Sequence, residues 1–286
     1  MVKVVPLRYG VMFKKAFSDH EVFSRFAGDV LGLPVHVDAV QQEYRYPAAV
    51  GPVNVTYDLF AEDIEHRIII EIQHIREHDF FERFLHYHSV SIVEQATIPA
   101  TYKAARIVCT VVVLTTSPRD EALQFSVAVS DVDPVNEKGQ RLGVYRHRLV
   151  FLNPSNINED TPPAARPWMK LIADSLDGQV EEAQYDDPLM RRVIGAIRND
   201  ALSPDELARV KDEAAWEDTK RDERDQGRAE GMRDGRVEGM REAIADLCEA
   251  YGLVLSRAQR AEVAGLDLAG LERLRLHLKQ HKVWPA

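Results

Sequence analysis

The chain has 286 residues, of which 45% are hydrophobic and 29% are charged, so a packed core can form without disulfides or metal ions. Its 36 basic and 46 acidic residues give a net charge of −10. This charge excludes a generally basic protein that coats nucleic acid, although it leaves room for a local DNA-binding groove.

Targeting signals and paired cysteines are missing from the sequence. No apolar run reaches the about 20 residues of a membrane helix, and residues 1–8 lack the apolar stretch of a signal peptide. The two cysteines, Cys109 and Cys248, form no CxxC pair. We therefore expect a reduced, cytoplasmic protein that has no membrane partner.

Residues 1–180 alternate between helical and extended patterns. In chain order, they predict a helix containing Tyr9, Phe13 and Phe17, a second helix that begins at a capping box over Ser18–Glu21, a strand at 35–46, strands at 55–62 and 67–75, a helix at 79–95, and strands at 107–114, 125–129 and 144–152. The run at 107–114 is apolar throughout, which is typical of a central strand.

After Pro167 the pattern is helical almost to the end of the chain. A capping box with proline at the first helical position, Ser203-Pro204-Asp205-Glu206, begins a helix that runs toward residue 250. Glycines recur in it at 227, 231, 235 and 239, and each costs a helix about 1 kcal/mol relative to alanine. This repeat indicates either a solvated spacer or a close helix–helix contact between two copies. The sequence thus predicts a core over 1–180 and a helical extension over 181–286.

The stretch from Asn54 to Gln73 predicts a hairpin with a defined register. If residues 63–66 form a four-residue loop, one face carries four cross-strand pairs: Glu62 with Arg67, Phe60 with Ile69, Asp58 with Glu71, and Thr56 with Gln73. The other face carries only apolar side chains, namely Leu59, Ala61, Ile68, Ile70 and Ile72. Burial of this apolar face fixes the register, because a slip of one residue would turn the isoleucines outward.

In this register two carboxylates, Asp58 and Glu71, face each other with β-carbons roughly 5 Å apart. Like charges so placed are destabilising unless a cation compensates them, and Mg²⁺ prefers carboxylate oxygens. Such an ion lowers the pKa of a bound water and stabilises charge on a phosphoryl group. Gln73 follows on the same face and could orient the attacking water. The alternative is a solvent-exposed sheet face with incidental acids.

Asp58 followed by Glu71-x-Gln73 on the next strand resembles the PD-(D/E)XK nuclease superfamily, and in particular the Rpn-type recombination-promoting nucleases, a transposase-like family. Three further features are similar to that family in the same order along the chain. They are an FK-x-x-F helix at Met12–Phe17, an Arg-x-x-x-Tyr helix at Arg83–Tyr87, and a glycine-punctuated tail at 227–231 followed by a terminal helix pair that contains Gly265 and Leu266. The resemblance implies a restriction-endonuclease-like core, with a central mixed sheet flanked by helices, and a helical C-terminal extension.

The resemblance also implies roles for individual residues. Asp58 and Glu71 would be metal ligands, with the Ile72 backbone carbonyl as a third. Gln73 stands where the wider superfamily has a catalytic lysine, and a glutamine brings no charge to stabilise the transition state. Gly10 stands where the family often has an acidic residue, so this sequence departs from the family pattern in the first helix.

Other side chains are weaker candidates. Arg83 and Tyr87 lie one helical turn apart, so they could contact a phosphate or support the site, or simply pack on the sheet. Lys14 and Lys15 could approach DNA or lie on a solvated helix face. Two more groups favour ordinary structural roles over zinc or DNA binding, namely the histidines at 74, 78, 86 and 88 and the basic group Arg141, Arg146, His147 and Arg148.

The sequence therefore predicts a DNA endonuclease that depends on Mg²⁺ or Mn²⁺, hydrolyses phosphodiester bonds and is linked to recombination or transposable elements. Its expected partners are DNA and a second copy bound through the C-terminal helices. Two alternatives stay open: a catalytically weak or inactive nuclease-fold module that binds DNA or protein, and an RNA nuclease. Intact Asp58, Glu71 and Gln73 favour catalysis, whereas Gly10 and the acidic net charge favour the module.

Overall fold

The computed structural model describes residues 1–45, 55–74, 79–95, 104–116 and 124–285. Its strands are β1 Val2–Lys3, β2 Gln41–Arg45, β3 Thr56–Glu62, β4 His66–Gln73, β5 Ile107–Leu114, β6 Val127–Asp131, β7 Arg148–Leu152 and β8 Gln179–Val180. Its helices are α1 Gly10–Phe17, α2 His20–Leu31, α3 Phe80–Val93, α4 Arg166–Ser175, α5 Pro188–Ile197, α6 Pro204–Ala250, α7 Arg257–Gly265 and α8 Leu268–His281. None of these helices is both long enough and apolar enough to cross a membrane.

Six strands form one mixed sheet in the order β2-β3-β4-β5-β7-β6. The pairs β2–β3, β3–β4 and β6–β7 are antiparallel, whereas β5 runs parallel to both β4 and β7. The apolar strand β5 lies inside the sheet, as its sequence predicts, because both of its edges are paired and both faces are covered. The predicted α/β class with a central mixed sheet is therefore confirmed.

Helices cover both faces of this sheet. On one face the main core joins the apolar side of β3 and β4 to α1, α2, α4 and α5, and aromatic rings at Phe13, Phe17, Phe26 and Trp168 pack together there. On the other face α3 packs through Phe84 and Val90. Both helix layers bring charged side chains to the edge of β3 and β4, where the candidate site lies.

Tertiary contacts move several predicted boundaries. The predicted strand at 35–46 is limited to β2, because Val35 and Val37 enter the core as irregular chain and the Val37 N–H donates to Ser24 Oγ. The predicted cap of α2 lies one residue later than Ser18. The Asp19 carboxylate accepts the Glu21 and Val22 N–H groups, at 3.0 and 3.2 Å.

The chain divides into two compact units, Met1–Ala214 and Ala215–Ala286. The first unit extends beyond the predicted limit at residue 180, because α5 packs on α1 and the first turns of α6 add Val210 and Ala214 to the core. The capping box that begins α6 is confirmed, with Ser203 and Glu206 each accepting the other's backbone N–H.

The second unit has a small core of its own. Ile244 and Cys248 of α6 pack with apolar residues of α7 and α8, which form the predicted terminal helix pair. The preceding part of α6 is different, since every residue from 218 to 236 is exposed in the single chain. The helix is nevertheless continuous from Pro204 to Ala250, so the predicted long, glycine-containing helix is confirmed.

Candidate functional site

The hairpin β3–β4 has the predicted register. Glu62 pairs with Arg67, Phe60 with Ile69, and the ladder ends at Leu59 with Ile70. The Arg67 guanidinium also donates to Glu62 Oε1 at 2.6 Å. It donates as well to Oε2 of Glu94, the residue that follows α3, at 2.7 Å. The same side chain thus joins the two strands of the hairpin and links them to the end of α3.

Asp58 and Glu71, which we call the carboxylate pair, lie where the two strands separate. The Asp58 N–H donates to Glu71 Oε1 at 3.1 Å, and the Ile72 N–H donates to Asp58 Oδ2 at 3.1 Å. Each carboxylate therefore accepts a strand N–H that a backbone carbonyl would otherwise take. This exchange holds both side chains in place at the mouth of the hairpin.

The sheet face that carries the pair is largely covered, and the Asp58 side chain keeps 26% of its accessible surface. Glu71 retains only 4% of its accessible surface, and the neighbouring Phe60 and Ile69 pack beneath α3. The alternative of an exposed sheet face with incidental acids is therefore wrong for Glu71. The predicted pairing of Thr56 with Gln73 is not formed, because the β3–β4 ladder ends at Leu59 with Ile70. At the other edge of β3, Thr56 pairs with Arg45 of β2, and its Oγ1 accepts the Arg45 Nε–H at 2.8 Å.

Burial governs the electrostatics of the pair. Desolvation raises the pKa of Asp58, and it raises the pKa of Glu71 well above the usual value, to which the nearby Asp58 charge adds. Backbone N–H donors and the cations Lys14 and Arg83 act in the opposite direction on both groups. The two carboxylates thus lie close enough to oppose each other's ionisation, which is the situation that a bound cation relieves.

Lys14 reaches the pair from α1. Its Nζ lies 2.8 Å from Glu43 Oε1 of β2 and 3.9 Å from Asp58 Oδ1, and only 12% of its side chain is exposed. Lys15, by contrast, pairs with Glu206 of α6 at 2.9 Å. For Lys14 the alternative of a solvated helix face is therefore wrong, because its side chain is directed into the candidate site.

Gln73 and Arg83 meet on the α3 side of the sheet, where an Arg83 Nη2–H donates to Gln73 Oε1. The Arg83 guanidinium also lies over the rings of Phe84 and Tyr87, at 4.6 and 5.9 Å from their centroids. The Tyr87 ring packs edge-on against the Tyr57 ring, with 5.8 Å between the ring centroids. The Tyr57 hydroxyl donates to the Tyr87 backbone carbonyl. Arg83 therefore supports the site through Gln73, whereas Tyr87 packs on the sheet.

Glu213 is a site residue that the sequence analysis missed. It comes from α6, and its carboxylate accepts the N–H groups of Gly10 and Val11 at the start of α1, at 2.6 and 3.0 Å. Burial raises the pKa of Glu213, and the charge of Asp58 acts in the same direction. No local signal marks this residue, because its partner Val11 lies 202 positions earlier in the chain.

The remaining candidates have structural partners. His88 Nδ1 lies 2.9 Å from Thr110 Oγ1, and His74 Nδ1 lies 2.9 Å from Thr115 Oγ1, while His78 falls outside the described residues. The basic group is dispersed, since Arg141 pairs with Asp131 and Arg148 donates to the Leu31 carbonyl. These observations favour the structural roles that the sequence suggested for both groups.

Within the described ranges, no group of three or more histidine, cysteine, aspartate and glutamate side chains is arranged to hold a metal ion. The carboxylate oxygens of Asp58 and Glu71 lie together next to the Ile72 backbone. The Ile72 N–H donates to Asp58, and the Asp58 N–H donates to Glu71. Compared with protein-family models, curated proteins and solved structures, the chain matches none. The resemblance to the nuclease family therefore stays a prediction.

Proposed function

We propose that the protein is a DNA endonuclease that depends on Mg²⁺ or Mn²⁺ and hydrolyses phosphodiester bonds at Asp58, Glu71 and Gln73. The observation that carries the proposal is the carboxylate pair, which lies where two strands separate, with Glu71 buried and Asp58 half-buried, and is tied to both strands by backbone N–H donors. We further propose a restriction-endonuclease-like core, which is supported by a mixed sheet with helices on both faces. A link to recombination or transposable elements follows from the resemblance alone.

The charge balance of the site supports a cationic ligand. Four carboxylates, those of Asp58, Glu71, Glu43 and Glu213, interact electrostatically with one another or with three cations, Lys14, Arg83 and Arg209. If all these groups are ionised, the site carries one more negative than positive charge. A divalent cation would offset this excess and favour the ionised form of the carboxylate pair.

The donor set fits magnesium better than zinc. Mg²⁺ is commonly held by one or two carboxylates, with water and substrate phosphate completing its coordination, so a protein cluster of three acidic side chains is not required. The N–H and C=O of an extended residue point to the same side of its strand, so the Ile72 carbonyl is directed toward β3, as its N–H is. When bound there, the ion would neutralise phosphoryl charge and provide a more acidic water.

The protein groups have separate roles in this proposal. Asp58 and Glu71 would hold the ion, and the Gln73 amide, fixed by Arg83, would orient the attacking water. The charge that Gln73 lacks is supplied from the opposite side of the sheet by Lys14, whose ammonium lies 3.9 Å from Asp58 Oδ1. There it can stabilise negative charge that develops on a phosphate at the pair.

The test is nicking of supercoiled plasmid with and without Mg²⁺, by the full chain and by Asp58→Asn and Glu71→Gln. Both substitutions keep the shape of the side chain and an oxygen that can accept the strand N–H, so we expect folded proteins that have lost cleavage by at least about 10³-fold. Glu82→Gln, at an exposed position on α3, is the matched control and should cut at the wild-type rate.

Two results would contradict the proposal. One is cleavage that persists in Asp58→Asn, which would place the chemistry elsewhere. The other is wild-type protein that binds DNA without cutting it at any Mg²⁺ or Mn²⁺ concentration, which would favour the non-catalytic binding module. A parallel assay on single-stranded and duplex RNA separates DNA from RNA as the substrate.

A further inference from the structure

The beginning of α1 is completed by a residue from a distant helix. The first N–H groups of a helix have no partner within it, and Tyr9, at the cap position, makes no side-chain cap. Instead the N–H groups of Gly10 and Val11 both donate to the Glu213 carboxylate, at 2.6 and 3.0 Å. Negative charge at this end of a helix is also favoured by the helix dipole.

The same helix carries the cation of the candidate site. Lys14 lies about one turn after Gly10, and its ammonium group contacts Glu43 and Asp58. The Glu213 carboxylate is close enough to interact electrostatically with both Lys14 and Asp58. A contact that fixes the first turn of α1 therefore also fixes where Lys14 meets the carboxylate pair.

Glu213 lies beside the space that a side chain at residue 10 would occupy. A β-carbon built on Gly10 would lie 3.7 Å from each Glu213 carboxylate oxygen and 3.8 Å from Ile72 Cγ2. These are ordinary contact distances, so a small side chain fits beside Glu213. A side chain at residue 10 would thus lie in contact with the Glu213 carboxylate. Both would be next to Ile72, whose backbone N–H donates to Asp58.

Other contacts hold the first turns of α6 against the same part of the core. Lys15 Nζ lies 2.9 Å from Glu206, and Arg209 lies 3.2 Å from Glu43. Glu206, Arg209 and Glu213 follow one another at three- and four-residue spacings, so they occupy one face of α6. The segment 204–214 therefore forms a wall of the candidate site.

We propose that Glu213 is a positioning residue of this site. It anchors the first turn of α1 and thereby holds the Lys14 ammonium against Asp58. As far as catalysis is concerned, the inference rests on the proposed nuclease function, and it assigns to α6 a share in that function. The placement of Lys14 can be measured without catalysis.

The test uses the full chain and four variants: Glu213→Ala, Glu213→Gln, the double variant Gly10→Asp/Glu213→Ala, and the control Asp212→Ala at the neighbouring exposed position. Two quantities are compared with wild type. One is the rate of reductive methylation of Lys14, followed by peptide mass spectrometry with the exposed Lys138 as internal reference. The other is plasmid cleavage, resolved into kcat and KM at fixed Mg²⁺.

For Glu213→Ala we expect Lys14 to be methylated at least about fivefold faster while Lys138 is unchanged. Misplacement of a charged group by about 1 Å costs about 10²-fold in rate, so kcat should fall by that factor, with KM within about twofold. Gly10→Asp should restore both readouts in large part, because it returns a carboxylate to the same space. Glu213→Gln should lie between, since its amide has one oxygen for two N–H donors, and it provides the comparison if Glu213→Ala does not fold.

Unchanged Lys14 methylation in both Glu213→Ala and Glu213→Gln would overturn the inference. A folded double variant in which Gly10→Asp does not restore the protection of Lys14 would overturn it as well. A fall in thermal stability without change at Lys14 would indicate a merely structural contact and would also contradict it. If wild type cuts no nucleic acid, the proposed function fails by itself, and the methylation rates still decide whether Glu213 positions Lys14.

Discussion

At the scale of single residues, the positive charges of the candidate site come from helices and not from the strand that carries Gln73. Gln73 is neutral, while Lys14 and Arg83 approach the carboxylate pair from α1 and α3. A positive charge at the site does not require a particular position in the sequence, since any element that packs there can provide it. Gln73 is then free to act as a hydrogen-bonding group.

This division of roles predicts the effect of Gln73→Ala. We expect the cleavage rate to fall by about 10²-fold, whereas Mg²⁺ affinity should change by less than about threefold, because an orienting group acts mainly in the transition state. Rates measured across a Mg²⁺ titration, with affinity measured by calorimetry, separate the two effects. Gln42→Ala, at an exposed position on β2, should change neither, and full recovery of Gln73→Ala at high Mg²⁺ would show that Gln73 binds the ion.

His88 predicts a pH effect on stability that is separate from the site. Burial, with a smaller contribution from His147, lowers the pKa of His88 from 6.5 to about 4. Between pH 6.5 and about pH 4, His88 is protonated in the unfolded chain and neutral in the folded chain. Because the unfolded state binds the extra proton, the free energy of unfolding decreases as the pH falls through this window. The total loss from this group is about 3 kcal/mol, at 1.36 kcal/mol for each factor of ten.

Urea unfolding between pH 7 and pH 4 checks this prediction. His88→Gln keeps a group that can bond to Thr110 and removes the titration, so its stability relative to wild type should increase as the pH falls. His36→Gln, at an exposed position, is the control and should follow the wild-type curve. Parallel curves for wild type and His88→Gln would show that His88 titrates alike in the folded and unfolded chains.

At the scale of elements, helix starts are decided by which side chain can reach the free N–H groups. The sequence predicts Ser18 as the cap of α2, whereas the structure uses Asp19, which also pairs with Arg192 of α5 at 2.9 Å. A carboxylate that serves two elements is favoured over a hydroxyl that could serve only one. The Ser18 hydroxyl instead donates to the Lys15 carbonyl in α1.

Substitution of the two residues distinguishes these caps. We expect Asp19→Ala to reduce the free energy of unfolding by about 1 kcal/mol, the usual loss for an N-cap, and Ser18→Ala to reduce it by less than about 0.5 kcal/mol. Both values come from chemical denaturation at neutral pH. An equal loss in the two variants would mean that the cap is shared, in contradiction to the contacts of Asp19.

At the scale of the whole molecule, the exposed part of α6 is the feature that calls for a partner. Every residue from 218 to 236 is exposed in the single chain, and a β-carbon on any of the four repeat glycines would meet nothing within 4 Å. An isolated helix containing these glycines is only marginally stable. A second copy of the same segment is the simplest partner, because two-fold dimers are the commonest assembly.

We therefore expect a homodimer that forms partly through this segment and is measurable by sedimentation at tens of micromolar. Gly231→Leu with Gly235→Leu should weaken the dimer by at least about tenfold, since leucine prevents close approach of two helices although it favours helix formation. Ala229→Leu, in the same exposed stretch, is the control for added apolar surface. If the wild-type chain is a monomer, or if the dimer forms equally well with the two leucines, the glycine repeat is not the contact.

A truncated chain tests the same point, and the structure determines where it should end. A stop near residue 200 would remove Glu206 and Glu213 together with the tail, so loss of cleavage could not be attributed to loss of the dimer. A stop after Ala214 keeps the whole first compact unit. This shorter chain should remain folded and be monomeric.

The amino-acid sequence by itself determined features that depend on near neighbours along the chain. The alternation from Leu59 to Ile72 sets which face of the hairpin is buried and hence its register, and the apolar run 107–114 sets the central strand. Capping residues such as Ser203 set helix starts in the same way. These features follow from local periodicity, which is a short-range property of the backbone.

Only the tertiary structure decided which charged groups meet at the carboxylate pair. Lys14, Glu43, Arg83 and Glu213 come from four elements and are brought together by packing of α1, α3 and α6 around the sheet. Burial of Glu71 under α3 likewise depends on that packing. Periodicity cannot reveal such contacts, because they join residues whose separation along the chain bears no relation to the repeat of a helix or strand.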